Sequence, residues 1–600
     1  MIDYHAHALA LEEVKQAIAA APFADPPLAA ARGQVIVDLA LAGDHALLGT
    51  LTDHLLAHAT SDGAELALLG RAADLWSRGI ALCSDIGVIR ATLETALAAP
   101  ADPASPARFN GAAMDAQRVA QRLYAMQAEV TALRDDIKPL KHLVAHPRQV
   151  DTPPQAWDWG NRLIGRRTDA LVRSLVGLAD SISTRAFAFG ALAGYGANAS
   201  GSAYLGGVVG GPRRSHRFRD RIARNAVGSW LAARYPATPS PAALAARIRF
   251  GAPARPVLPA DIEQLLINAL SQTFDLSEAP PLPDLRRGYR RLVRHLELLD
   301  RFALPPVPAA PSGMWAAELY CDPTAPPPAL RTQDIGIGAD PGGGVSLGNN
   351  TPGDQQPGKG DSNTAGTICG IIVAILIVID LIQAFVQCCV QWAKKQTCTF
   401  WDNMLLKKLW EKDPPDPRDP TGPQDPNISS SGLTAAASTT QVVQVIGALF
   451  DMHVQVWEAL DRAHAYLALT GLIYPGHRVG LPLYRQFTSS PAPAPWPHRM
   501  VPGADNAYHL YPTSPLEQAS VPQSPFFPGS SPEAFLTPGR GYPTPSGVAL
   551  PLFEQIVRHE ADSQNLDLDA DRGFGHPCWA TVGSVNADPI GVAVLPYGAQ

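Results

Sequence analysis

A long apolar segment near the middle of the chain limits the folds that are open to it. Residues 365–395 read AGTICGIIVAILIVIDLIQAFVQCCVQWAKK, and the run Ile371–Ile379 contains no polar side chain. A membrane-spanning helix needs about 20 mainly apolar residues, so this stretch is long enough to cross a bilayer. We predict that residues 365–412 form a hydrophobic helical hairpin that inserts into a membrane. The alternative is a helical hairpin buried in the core of a large soluble protein.

Polar residues form one stripe along the second half of this segment. Their spacings of three, four and four residues place them on one helix face: Asp380, Gln383, Gln387 and Gln391. An ionisable side chain within a bilayer normally faces protein or water, and amide side chains hydrogen-bond between helices. We therefore expect self-association through the stripe. The residues that follow, up to 412, combine aromatic and leucine residues with lysines, which is typical of an interfacial amphipathic helix.

The charges around the segment bear on how it would reach a membrane. Lys394 and Lys395 follow the apolar run, which favours a cytoplasmic C-terminal flank. The first 20 residues have no basic region ahead of an apolar run, so we expect no secretory signal peptide. These two inferences agree if the protein is membrane-associated after insertion from water, as a delivered effector would be.

Residues 1–305 have helical periodicity throughout, which predicts a mainly α fold. Apolar residues alternate at four- and three-residue spacing in two stretches, the second being Val119, Leu123, Met126, Val130, Leu133, Ile137 and Leu140. A turn-rich connection separates them, so we predict an antiparallel helical hairpin over residues 73–142. Its apolar seam fits core packing or a docking arm for a partner.

Proline and glycine mark the remaining boundaries. Residues 306–364 are predicted to be a Pro/Gly linker, and residues 413–432 a stiffer Pro-rich linker. Residues 433–600 are predicted to form a helix followed by an irregular, Pro-rich C-terminal region. The net charge of −7 offers no broad basic surface, so no nucleic-acid partner is expected.

A family resemblance comes from three stretches between Asn161 and Trp230. Phe187 to Gly190 reads FAFG, Val209 to Pro212 reads VGGP, and the helix-like stretch from His216 to Trp230 follows. With flanking similarity at residues 45–53 and 284–289, this frame resembles the bacterial zinc-dependent phospholipase C family. The resemblance implies an all-helical domain over residues 1–305, with residues 73–142 inserted. It also implies a metal cluster that activates water against a phosphodiester.

The chain departs from the family pattern at nearly every metal ligand. Where the family's first helix carries His, Asp and His, this sequence has Gly194, Asn198 and Ser202. Where the next helix carries His and Glu, it has Asp220 and Arg224. Asp53 is the one expected ligand that is kept, and His5 and His7 have no counterpart in the frame. We therefore expect no zinc cluster and no zinc-dependent hydrolysis.

Basic residues are concentrated where the ligands were lost. Guanidinium groups bind phosphate through paired hydrogen bonds, which makes these residues candidates for a lipid-headgroup site: Arg213, Arg214, His216, Arg217, Arg221 and Arg224. The alternative is an ordinary solvated basic helix face that is paired locally through Asp220.

An acidic turn near the C-terminus resembles a calcium loop only in part. Asp567, Asp569 and Asp571 alternate as oxygen ligands would, but Gly573 stands one position late and Cys578 occupies the twelfth position. We expect no calcium there.

These patterns together predict a non-catalytic, membrane-engaging protein: an effector, a toxin or an anchor for a larger assembly. Two other functions stay open. One is an active phospholipase or phosphodiesterase acting on lipids, with metal ligands that the family frame does not align. The other is a soluble structural or interaction component of an assembly.

Overall fold

The computed structural model describes most of residues 2–132 and 159–309, parts of 446–476, residues 531–538 and 543–560, and a few positions between 568 and 590. Short gaps interrupt these ranges, chiefly within 106–131 and at 210–216. Several predicted features lie outside the described residues. They are the membrane segment 365–412 with Asp380, Gln383, Gln387 and Gln391, the two proline-rich linkers beyond residue 309, and the acidic turn with Asp567, Asp569 and Asp571.

The described residues are mainly α-helical, as the sequence predicts. Twelve helices have defined bounds: α1 (Tyr4–Ala20), α2 (Pro26–Thr50), α3 (Thr52–Thr60), α4 (Ala64–Ala98), α5 (Trp159–Gly165), α6 (Thr168–Leu178), α7 (Ile182–Val209), α8 (Arg217–Arg234), α9 (Pro241–Arg247), α10 (Ala260–Thr273), α11 (Leu285–Leu299) and α12 (Pro545–Val557). The described residues also contain two antiparallel pairs of two-residue strands. In these, β1 (Gly251–Ala252) pairs with β2 (Arg255–Pro256), and β3 (Ala580–Thr581) pairs with β4 (Pro589–Ile590).

The glycine-rich helix α7 is the central element, and α2 crosses it closely. A methyl group added at Gly190 would lie 2.7 Å from the carbonyl carbon of Ala46 and 2.9 Å from its Cα. Only glycine permits two backbones to approach so closely. Arg185 near the start of α7 also donates two hydrogen bonds to the buried Asp38 of α2, at 2.7 and 2.9 Å. The glycine content of α7 therefore serves helix packing.

Local sequence signals explain where several helices begin. The Asp3 carboxylate accepts a hydrogen bond from the backbone N–H of His5 at the start of α1. Asp284 caps α11 in the same way through Arg287 N–H, at 2.9 Å. Such caps satisfy donors that the first helical turn leaves free. In α11 the apolar side chains form one buried face, including Leu292 and Leu296.

Apolar side chains form two clusters within the described part of the chain. The first joins α1, α2, α3 and α7 with α10, α11 and α12, and it includes Phe187 and Tyr289. The second joins α4 and α8 to residues 446–473 and 534–535, and it includes Trp76 and Trp457. Described residues from 446 onward thus pack against helices from the first 305 residues.

Two ion pairs connect α4 with the helical residues that follow it. Arg78 pairs with Glu129, and Asp85 pairs with Arg122. The partners run in opposite directions along the chain, as they would in an antiparallel pair of helices. The predicted hairpin 73–142 extends past residue 132, where its last ten residues lie outside the described part.

Within the described ranges, no single helix is long and apolar enough to span a membrane. Helices α2 and α3 meet that length and composition only when taken together, and they are bent by 47° at their junction.

Candidate functional site

The first turn of α1 meets α3 and α7 at a buried polar centre. We call His7, Asp53, His54 and Asn198 the inner cluster; each is 5% exposed or less. His7 Nε2 lies 3.3 Å from Asp53 Oδ2, and the His7 and His54 rings meet edge to face with centroids 5.3 Å apart. One ligand atom from each of His7, Asp53 and His54 lies within 4.8 Å of the other two.

The bend between α2 and α3 presents two members of this cluster. Leu51 separates the two helices, and Thr52 donates a hydrogen bond to the Gly49 carbonyl at 2.7 Å. Asp53 and His54 therefore occupy the first turn of α3, with the Asp53 carboxylate accepting from His54 N–H at 2.7 Å. This bend turns both side chains toward α1 and α7.

Asn198 of α7 fixes the position of the Asp53 carboxylate. Its amide nitrogen donates to Asp53 Oδ2 at 2.8 Å, and its amide oxygen accepts from Ile2 N–H at 2.9 Å. Both ends of the amide are thus engaged within the protein. The sequence frame placed Asp53 and Asn198 at ligand positions, and the structure brings these two residues into contact.

Three further side chains extend the polar centre toward solvent. The Tyr4 hydroxyl lies 2.8 Å from His295 Nδ1 of α11 and 3.5 Å from His58 Nε2 of α3. Tyr4 also packs on His54, with ring centroids 4.3 Å apart. His58 and His295 are partly buried, so the rings form a continuous path from the inner cluster to the outer edge of α3 and α11.

Burial keeps these imidazoles neutral. It lowers the pKa of His54 to about 3, against the opposing charge of Asp53. It likewise lowers the pKa of His58 and of His295 to about 3. A neutral imidazole is the form that accepts a proton or binds a metal ion.

The carboxyl group of Asp53 is ionised in this setting. Burial acts to raise its pKa, but attraction to the His54 and His7 rings outweighs burial and places the pKa well below its ordinary value. The centre therefore combines a buried carboxylate with imidazole nitrogens, which is the donor chemistry of a metal ligand set.

A second buried group ties the C-terminal part of the chain to the same centre. Tyr474 donates to Asp3 Oδ1 at 2.7 Å and lies 3.4 Å from His5 Nδ1. Burial raises the pKa of Asp3, but hydrogen bonds and charge from His5, with a hydrogen bond from Tyr474, lower it overall. Asn225 of α8 donates to the carbonyls of Gly471 and Ile473 and anchors the same segment.

The other positions where the frame predicts ligands have different surroundings. A Cβ atom at Gly194 would lie 2.7 Å from the Thr50 carbonyl oxygen, so no side chain fits there without moving α2 from α7. Ser202 is buried in α7. Asp220 and Arg224 form an ion pair at 3.3 Å along α8. These residues do not fit the zinc cluster that the resemblance implies.

Part of the basic stretch can also be placed. Arg221 pairs with Glu65 of α4 and lies 3.5 Å from the Gly471 carbonyl oxygen, and both Arg221 and Arg224 are less than one-fifth exposed. The described residues do not include Arg213, Arg214, His216 or the side chain of Arg217. The predicted lipid-headgroup site stays a prediction.

Sequence reasoning missed several members of this centre. His54 and His58 stand one helical turn apart in TDHLLAH, which was the one local signal available. Tyr4, His295 and Tyr474 carry no such signal, because only the packing of distant elements brings them together.

Comparison of the chain with protein-family models, with curated proteins and with solved structures found no match in any of the three. The resemblance to the phospholipase C family therefore rests on the sequence frame alone.

Proposed function

We propose that this protein engages membranes without hydrolysing lipids. In this proposal residues 365–412 enter the bilayer, and residues 1–305 form a phospholipase C-like helical scaffold that has lost the family's zinc cluster. The main support for the absence of hydrolysis is the close packing of helices at Gly194, where a ligand side chain has no room.

Electrostatics and hydrogen bonding support the same conclusion. Arg224 stands where the family has a ligand, and it is paired with Asp220. Its guanidinium group is always charged, so it repels a dication rather than binding one. Asn198 replaces a carboxylate and has both ends of its amide engaged. Three of the frame's ligand positions are therefore unsuited to a zinc cluster.

The proposed membrane insertion is supported by the sequence and by the balance of transfer free energies. The run Ile371–Ile379 contains eight Ile, Leu or Val residues, which favour insertion by about 2–5 kcal/mol together. Asp380 opposes insertion by about 3 kcal/mol near the bilayer centre. Because the terms nearly cancel, we expect stable insertion to require partners for the polar stripe, and self-association of the segment supplies them.

Liposome flotation tests this proposal. The full-length protein is mixed with vesicles of phosphatidylcholine and phosphatidylserine and is centrifuged through a density gradient. We expect it to float, and we expect deletion of residues 365–412 to abolish flotation. Deletion of residues 413–432, the Pro-rich linker, is the control and should leave flotation intact. Flotation that survives loss of 365–412 would refute insertion, and absence of flotation in the full chain would favour a soluble assembly component.

A lipid phosphodiesterase is the second candidate, and one observation favours it. His7, Asp53 and His54 bring three potential ligand atoms together, although two of them lie outside the family frame. Incubation of the same vesicles with the zinc-supplemented protein should release no headgroup if the first proposal holds. Release that is lost in Asp53→Asn would establish the enzyme instead.

A further inference from the structure

We infer that the inner cluster binds a single divalent transition-metal ion, such as Zn²⁺, through His7, Asp53 and His54. This site differs from the cluster implied by the family frame, because two of its three ligands come from outside that frame. It goes beyond the proposed membrane function and does not depend on it.

The spacing of His7 Nε2 and Asp53 Oδ2 fits two ligands of one tetrahedral ion. Zinc lies about 2.0–2.1 Å from a histidine nitrogen and about 2.0–2.2 Å from a carboxylate oxygen. Two such ligands at a tetrahedral angle are about 3.3–3.5 Å apart. His7 Nε2 and Asp53 Oδ2 are 3.3 Å apart, and the His54 ligand atom completes a set within 4.8 Å.

His7 provides the main argument for a cation site. It is fully buried, and its Nε2 has no hydrogen-bond partner among the described residues, although a carboxylate oxygen lies nearby. A buried polar atom without a partner is costly, by about 1–3 kcal/mol. A cation between His7 Nε2 and Asp53 Oδ2 would satisfy both atoms, because each would direct a lone pair toward it.

In both His54 and His7, the ring nitrogen that would face away from the metal has the contact expected of a metal-binding histidine. His54 Nε2 lies 2.9 Å from the Ile2 carbonyl oxygen, which can only accept, so this nitrogen carries the proton and leaves Nδ1 for a metal. His7 Nδ1 lies 3.4 Å from the Thr50 hydroxyl, which can accept its proton and leave Nε2 for the metal. Such outer contacts orient ligand rings and fix their tautomers.

Asn198 completes the arrangement as a positioning residue. Its Nδ2 donates to the same Asp53 oxygen that faces His7. A ligand set of histidine nitrogens and a carboxylate suits zinc and other divalent transition metals better than magnesium or calcium, which prefer all-oxygen sites. Three protein ligands leave a fourth position for water or a bound anion.

Metal analysis of the purified full-length protein tests this inference. The protein is produced without a histidine tag in zinc-supplemented medium, and its metals are quantified by mass spectrometry. We expect about one zinc ion per chain. His7→Gln and His54→Gln should each lower zinc content about tenfold or more. His559→Gln, which removes an exposed histidine that follows α12, is the control and should retain the ion.

The outcomes that overturn the inference are equally definite. No zinc in the wild-type protein would show an ordinary buried His–Asp pair, and equal loss in His559→Gln would show a nonspecific effect. Two or three ions per chain would indicate a cluster with other ligands. If the variants do not fold, Co²⁺ titration of the metal-free wild-type protein decides instead. Tetrahedral Co²⁺ absorption saturating at about one equivalent is expected, and its absence would refute the site.

Discussion

Replacing Gly190 by alanine is expected to destabilise the helical domain by forcing α2 and α7 apart. The new methyl group would lie 2.9 Å from Ala46 Cα, 2.7 Å from its carbonyl carbon and closer still to its oxygen. All three atoms are backbone, so no side-chain rotation relieves the contact. Overpacking of this kind costs about 1–3 kcal/mol or more, and alanine's better helix propensity returns about 1 kcal/mol.

Gly33→Ala is the matched control, because Gly33 is exposed within α2 and has open space around its Cα. There only the helix-propensity gain applies, and we expect up to about 1 kcal/mol of stabilisation. Urea unfolding followed by circular dichroism should place the midpoint of Gly190→Ala below that of the wild-type protein and the midpoint of Gly33→Ala at or above it. Equal midpoints would refute the close helix crossing that defines this fold.

The other predictions concern the polar centre. Tyr474→Phe should lower the free energy of unfolding by about 1–3 kcal/mol, because it leaves the buried Asp3 Oδ1 without its donor; an unchanged urea midpoint would contradict the contact. Stability should also fall on acidification below about pH 6.5, because unfolded histidines bind protons while His58 and His295, with pKa values of about 3, do not. Each contributes at most about 1.4 kcal/mol per pH unit, and less in practice because both are partly open to solvent. The decline between pH 7 and pH 5 should be shallower in His58→Gln, and an identical decline would contradict this origin. Thr50→Val should weaken Zn²⁺ binding about 10- to 100-fold through loss of its contact with His7, whereas unchanged affinity in a competition titration would exclude that role.

The helical character of the chain was predictable because local periodicity encodes it. The pattern LRRGYRRLVRHLELL predicts one amphipathic helix, and the structure confirms α11 from Leu285 to Leu299. This signal lies within a few neighbouring residues, so no knowledge of tertiary packing is needed.

The candidate site was only partly predictable. The frame located Asp53 and Asn198, since its fixed spacing transfers positions from one helix to another. It could not find His295 beside Tyr4 or Tyr474 beside Asp3, whose partners are 291 and 471 residues apart. Periodicity identifies the buried face of a helix but not the helix that will cover it. Gly194 shows a different limit of the sequence. A glycine that replaces a lost metal ligand and a glycine that is needed for close helix packing look alike in sequence.

Thiol labelling tests most directly whether the apolar segment enters a bilayer. Cys388 and Cys389 lie within the predicted segment, whereas Cys578 lies far outside it. With a membrane-impermeant maleimide and peptide mass spectrometry, we expect vesicles to suppress labelling of Cys388 and Cys389 and to leave Cys578 unchanged. Equal labelling of Cys388 and Cys389 with and without vesicles would contradict membrane insertion, and protection already complete in water would show a segment buried in protein.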